Sequence, residues 1–466
     1  MPKPNHSYRR WVATGLAHAL LADAHKPGGA TSQALHARAI QCLGADHPWL
    51  LPLIAAMGPH SVGQWRRHSV ASLAEYIDQL PAFDAAFLGQ DSHPHIRRLL
   101  LRPDRMLAPP FELAQLGLPR LASHADLAQW LGISPERLQW LIEPAQNFRE
   151  SEAAPGQPHC HPGRHYRQLL KQKNSGGLRL VEAPKSELKR VQKRLLSGLL
   201  NKIPVHEKVH GFVRGRGVLT HASEHAGRHT VLAFDLSDFF SSIGVARIKA
   251  LWQTLGYPEA VARALAALCT TRTPLAVRQR LMDAGGINFF QQRRLASAHL
   301  PQGAPTSPAL ANLCAFMLDL RLDGLAWRFG ANYSRYADDL VFSGSELLAR
   351  DQRKLTGWVA AIVEAEGFRV HPRKTRVLLK YGRQRVTGVV VNTRPNLGRD
   401  DYDRLRAELH RLAGADRLDK GVKQRMWGRI SWACQTVCAS RAAKLYRLFE
   451  ALPNDHQGAG YDASTS

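Results

Sequence analysis

The sequence predicts an α+β fold behind a helical N-terminal extension, and three observations lead there. From Tyr166 onward, short apolar strands alternate with helices, the pattern of sheet and helix layers sharing one core. Residues 1–150 read as mostly helical. A length of 466 residues exceeds what one core holds, so two to four packed units are expected.

The elements follow in order. Residues 12–22 are rich in alanine and leucine but interrupted by His18, which reads as a helix and not a secretory leader. A further helix is expected around Leu73 to Leu80. Ser123 opens another, which stops at Gly132, and Ser134-Pro135 starts the next. This pair is better read as a packing hairpin than as a DNA-reading helix-turn-helix. Glu150 to Gly163 is polar and rich in proline and glycine, a linker. Tyr166 to Val181 reads as a β-hairpin turning at Gly176-Gly177, and Pro184 to Arg194 as a helix with a basic side. Val231-Leu232-Ala233-Phe234 is a buried strand with Asp235 at its end, where a helix is expected to begin. Residues 397–450 return to basic helical periodicity, and Pro453 to Ser466 reads as a disordered tail.

Composition narrows the partners. With 63 Lys and Arg against 38 Asp and Glu, the net charge is +25. An excess of this size repels itself until a polyanion neutralises it, which points to nucleic acid. No apolar run approaches a membrane span, so no membrane partner and a cytoplasmic location are expected. Six cysteines without a CxxC pair suit reduced thiols. The cluster His159-Cys160-His161 lacks a second half at zinc-ligand spacing and reads as a loop.

The chemistry gathers around Tyr336-Ala337-Asp338-Asp339. Two adjacent carboxylates at a tight turn repel each other, and a divalent cation is the usual remedy. Asp235 alone would pass for a helix cap. Beside that turn it becomes a third ligand of a site where two Mg²⁺ ions clamp the attacking and leaving oxygens, with Mn²⁺ a permissible substitute. Asp235 and Asp338 are the primary catalytic and metal-binding residues, Asp339 the supporting one.

These residues resemble those of reverse transcriptases, because several motifs occur in the family's order across roughly residues 165–450. Asp235 with Phe240 is similar to the first palm motif, Gln302-Gly303 with Ser307-Pro308 to the second, and Tyr336 to Asp339 to the third. Gly367 to Thr375 resembles the fourth, and Val386 to Asn392 the primer grip. The resemblance implies a right-hand polymerase: linker and fingers in 151–230, palm with remaining fingers in 231–395, a helical thumb in 396–452, and a tail in 453–466. It implies that Phe240 excludes a 2′-hydroxyl and that Gln302 and Gly303 approach nucleotide and template. Lys374 would protonate or neutralise leaving pyrophosphate, and Arg179 with Lys171 or Lys173 would hold the triphosphate of a dNTP.

The closer resemblance is to the bacterial retron-type branch. It rests on His210-Gly211-Phe212, on His221-Ala222 with His225, and on Val386-Thr387-Gly388. His221 stands where that branch carries asparagine. The resemblance implies a structured noncoding RNA as template and primer, a 2′-hydroxyl start, a branched RNA–DNA hybrid product and a role in phage defence. It leaves an effector protein open as a further partner. RNA contacts would fall on His225, Val386, Thr387, Gly388, Arg425 and Arg429. The rival readings are another defence-associated bacterial reverse transcriptase with different priming, and a non-catalytic RNA-binding scaffold on the same fold.

Overall fold

The computed structural model describes residues 6–24, 28–57, 65, 68–88, 93–100, 114–143, 165–172, 177–415 and 418–453. The segments read as linker (150–163), as the His159–His161 loop and as tail (454–466) lie outside these residues. The chain divides into two contact units. The first is Met1–Pro109 with Arg120–Asp126 and Gly256–Val261, and the second is the remainder.

The first unit contains α1 (His6–Leu21), α2 (Ser32–Leu43), α3 (Leu50–Met57) and α4 (Val70–Asp78). Leu16, Leu20, Leu35, Leu53, Ile77 and Phe83 are enclosed in its core. Thr31 caps α2 by accepting from the Ala34 amide at 3.3 Å, and Gly44 ends it at φ 80°. Further along the chain come α5 (His124–Leu131) and α6 (Pro135–Ile142), where the cap residues predict them. Gly132 turns the chain at φ 67°, and Ser134 Oγ accepts from the Arg137 amide at 3.2 Å.

In the second unit, β1 (Tyr166–Gln172) and β2 (Leu178–Pro184) form the expected hairpin, followed by α7 (Ser186–Gly198) and α8 (Val218–Ser223). Lys173 lies outside the described residues. A four-stranded antiparallel sheet combines β3 (Thr230–Asp235), β4 (Asn332–Tyr336), β5 (Asp339–Gly344) and β6 (Arg376–Leu379) in the order β4-β5-β3-β6. Between β3 and β4 run α9 (Val245–Thr254), α10 (Glu259–Cys269), α11 (Leu275–Asp283), α12 (Phe289–Ala296), α13 (Ser307–Cys314) and α14 (Phe316–Arg328). Between β5 and β6 lies α15 (Glu346–Ala365).

Both faces of the sheet are covered, which is why β3 reads as a continuous apolar run. Helix α14 packs on β4, and α15 on β3 and β5. Val231 and Val341 instead join Ala222 of α8 and Val386 and Val389 of the small hairpin β7 (Arg385–Val386) and β8 (Val389–Val390). The chain closes with α16 (Arg399–Ala413), α17 (Lys420–Cys434) and α18 (Ala439–Glu450), around Leu405, Leu409, Ile430 and Leu445.

One boundary differs from expectation. No helix starts at Asp235, because the backbone beyond it stays engaged with its neighbours. Leu236 N donates to Asp338 O at 2.9 Å and Ser237 N to Arg369 O at 2.8 Å. A turn with Asp238 at φ 53° follows, and α9 begins only at Val245.

Candidate active site

The β3–β5 register sets Asp235 directly opposite Asp339. Tyr336 pairs with Asp339 across the β4–β5 hairpin, so Ala337 and Asp338 form a two-residue turn. Ala337 takes φ 55°, a region that favours glycine at such a turn. The arrangement concentrates negative charge at one end of the sheet. Burial, aided by the Asp235 charge, raises the Asp338 carboxyl above the usual range. Burial and then the charges of Asp338 and Asp235 push Asp339 up to about 6. Opposing this, Lys374 Nζ donates to both carboxylate oxygens of Asp235 at 2.9 Å. The charges of Lys374 and Arg179 also act on Asp338, and those of Arg376 and Lys374 on Asp339. Asp235, Asp338, Asp339, Lys374 and Arg179 are therefore electrostatic neighbours.

This donor set fits a divalent metal ion. It is all oxygen, suited to a hard cation. Its members hold each other's protons by repulsion, and among the described residues no side chain hydrogen-bonds Asp338 or Asp339. Among the described residues, Asp235 alone of the three has a cationic partner at contact distance, the half-exposed Lys374. Among the described residues no three ligands already converge at metal-site spacing.

Around the carboxylates, Phe240 is half-buried, 6.3 Å from the exposed ring of Phe212. Phe212 also lies 6.4 Å from Tyr336. Gln302 and Gly303 sit against the β1–β2 hairpin: Glu182 N donates to Gln302 O at 2.8 Å. Gly303, at φ 131°, leaves a Cβ only 3.0 Å from Glu182 O. Glu182 itself is buried, held by His299 and Thr273, each at 2.9 Å. On the same hairpin, Lys171 and Arg179 are exposed and directly opposed across the strands. Like charges so placed repel, and a bound anion would relieve them.

The residues expected to touch RNA divide. His225 and Val386 are 0% and 1% exposed, so neither side chain has a surface to offer, a correction to the expected direct contact. His225 instead spans Ser343 Oγ and Ser334 Oγ at 2.7 and 2.6 Å, joining β5 to β4. Thr387 is half-buried at φ 45° and Gly388 exposed at φ 87°. His221 Nδ1 lies 3.0 Å from Thr387 Oγ1, and its ring 5.8 Å from Tyr336. Burial pushes His221 down to about 3, so it stays neutral. Arg425 and Arg429 line a cleft of about 970 Å³ between β7–β8 and helices α16 and α17, where Arg429 pairs with Glu408 at 2.6 Å.

A buried network behind the turn escaped sequence reading. Arg335 of β4 forks onto Asp319 of α14 at 2.7 and 2.6 Å, both groups 0% exposed. Its remaining nitrogen donates to Ala337 O at 3.0 Å and Asn312 Oδ1 at 3.1 Å, while Asn312 Nδ2 donates to Gly211 O at 2.9 Å. Tyr333 OH completes the set by donating to Asp319 at 2.8 Å. Removing one partner of such a pair strands a buried charge, at about 3–5 kcal/mol. The available signal was an arginine in the strand that leads into the carboxylate turn.

An antiparallel sheet that presents three carboxylates beside a basic hairpin is the palm of a right-hand polymerase. The family model for reverse transcriptase (RNA-dependent DNA polymerase) matches residues 170–398. Retron Mx65 reverse transcriptase of Myxococcus xanthus is 40% identical over 317 residues, covering 66% of this chain and 67% of that protein. Retron Mx162 reverse transcriptase of the same organism is 39% identical over 349 residues, covering 72% and 68%. Retron Ec86 reverse transcriptase of Escherichia coli is 29% identical over 305 residues, covering 65% and 82%. The chain belongs to the retron reverse transcriptases and is an RNA-directed DNA polymerase. No helix among the described residues is long and apolar enough to cross a membrane.

Proposed function

We propose that the protein copies part of a structured noncoding RNA into single-stranded DNA from a 2′-hydroxyl, leaving a branched RNA–DNA hybrid that serves phage defence in the cytoplasm. The observation that carries the catalytic part is Asp235 facing Asp339 beside the Asp338 turn. Asp235, Asp338 and Asp339 would hold two Mg²⁺ ions, which would supply activation of the attacking hydroxyl and charge neutralisation at the leaving pyrophosphate. The chain's own residues do the rest. Arg179 and Lys171 bind the triphosphate, Phe240 floors the sugar, and Gln302-Gly303 positions the base pair. Lys374 releases Asp235 and turns its charge to the departing phosphates. Residues 151–230 serve as linker and fingers, 231–395 as palm, 396–452 as thumb, with Thr387, Gly388, Arg425 and Arg429 near the RNA.

Nucleic acid copurified with the protein tests the priming: DNA should stay joined to RNA through RNase treatment and part from it only on debranching. Free or protein-linked DNA would reject the branched start. Phe240→Ala should raise rNTP incorporation relative to dNTP by about tenfold or more, the loss of one snug steric contact. An unchanged preference in single-nucleotide extension would remove Phe240 from that role.

A further inference from the structure

A second surface lies beside the carboxylates on α12. Phe289 and Phe290 are 59% and 61% exposed, with rings 6.0 Å apart. Arg369 lies 5.7 Å from the Phe290 ring. Arg293 and Arg294 follow one turn later on the helix and, with Ser241 and Ser242, line a recess of about 270 Å³. Asp238, close by, is already engaged: Gln291 Nε2 donates to it at 2.9 and 2.7 Å, and Arg294 lies 3.9 Å away. Arg293 is exposed and has no carboxylate partner among the described residues. Two solvated aromatic rings with cations beside them match how proteins hold single strands, by stacking bases and tracking the backbone. Gln291 ties this helix to the turn that carries Phe240, so the surface adjoins the point of nucleotide addition.

We infer that Phe289, Phe290 and Arg293 form a binding site for the single-stranded RNA template next to the nucleotide being copied. The site stacks one or two bases on the phenylalanines and sets a backbone phosphate beside the Arg293 guanidinium. The inference rests on the reading of the Asp235–Asp338 turn as the site of nucleotide addition. Its occupant is RNA rather than a protein because the uncovered rings are bordered by cations and the enzyme's uncopied strand is RNA.

The test uses the full chain and a DNA primer annealed to RNA templates that extend beyond the primer by one nucleotide or by about ten, within the usual site size. The wild type should bind the long overhang more tightly than the short one. Phe289→Ala with Phe290→Ala should lose about tenfold in affinity for the long overhang. Its affinity for the short one and its rate at saturation should stay unchanged, and Phe290→Trp alone should retain the long-overhang advantage. Equal affinities in double variant and wild type would overturn the inference and assign the face to a protein partner. An equal loss on both templates would overturn it as general damage. A wild type that extends the primer on neither template would overturn the underlying site reading, and the inference with it.

Discussion

Asp338→Asn is expected to reduce DNA synthesis on an RNA template by roughly 10³-fold or more, with RNA binding close to wild type. Metal assistance supplies several kcal/mol of transition-state stabilisation, and each 1.36 kcal/mol is about a factor of ten. Asparagine keeps the shape of the turn and removes the charge that would hold the cation. RNA affinity comes mainly from Lys and Arg contacts to phosphate, which the substitution leaves in place. The distinguishing measurement is thermal unfolding with and without Mg²⁺. Burial and neighbouring charges raise the carboxyls of Asp338 and Asp339, so in the ion's absence their ionised forms oppose folding at neutral pH. The variant should therefore melt no lower than wild type in chelator, and it should lose most of the stabilisation that Mg²⁺ gives the wild type. Wild-type synthesis by the variant would remove Asp338 from the site. A variant that melts well below wild type in chelator would show that Asp338 supports the fold by some other contact.

The juxtaposition of Asp235 with the Asp338–Asp339 turn was legible in the sequence because it depends on local pattern. Apolar runs of strand length ending in a carboxylate define where strands stop, and the motif order defines which strands these are. The hairpin with Lys171 and Arg179 was legible for the same reason. Burial of polar residues was not. His225 reads as a polar residue available to RNA, yet both its ring nitrogens face serines of the sheet. Nothing local to positions 334 and 343 announces that a histidine more than a hundred residues earlier will occupy the space between them. Likewise Arg335, Asp319 and Asn312 meet through the packing of α13 and α14 against β4, which depends on helix rotation and strand register together. The misplaced helix start at Asp235 has a related cause: strand-to-helix reading ignored that the next residues could continue pairing with 338 and 369–371.

That buried network makes Gly211→Ala the second large effect. A Cβ built on Gly211 would lie 2.5 Å from Ala337 N, 3.2 Å from Tyr336 C and 3.3 Å from Tyr336 Cα. All three are backbone atoms of the carboxylate turn, so no side chain can swing aside. The loop carrying Gly211 has little freedom to retreat. Arg335 N donates to Lys208 O and His210 N to Arg335 O, each at 2.8 Å, and Asn312 grips Gly211 O. The turn is held from its other side by Arg335 on Ala337 O. One added methyl must therefore displace Asp338 or break part of this network. A misplacement of about 1 Å costs on the order of 10²-fold in rate, and overpacking of this kind costs about 1–3 kcal/mol of stability. Single-turnover incorporation should fall by about that factor while the chain remains folded at moderate temperature. Gly324→Ala is the matched control: its Cβ meets nothing within 4 Å. In the α14 helix it should keep full activity and gain up to about 1 kcal/mol of stability. Full activity in Gly211→Ala would mean that the turn tolerates the displacement, and the contact between loop and turn would then be packing without consequence for nucleotide addition.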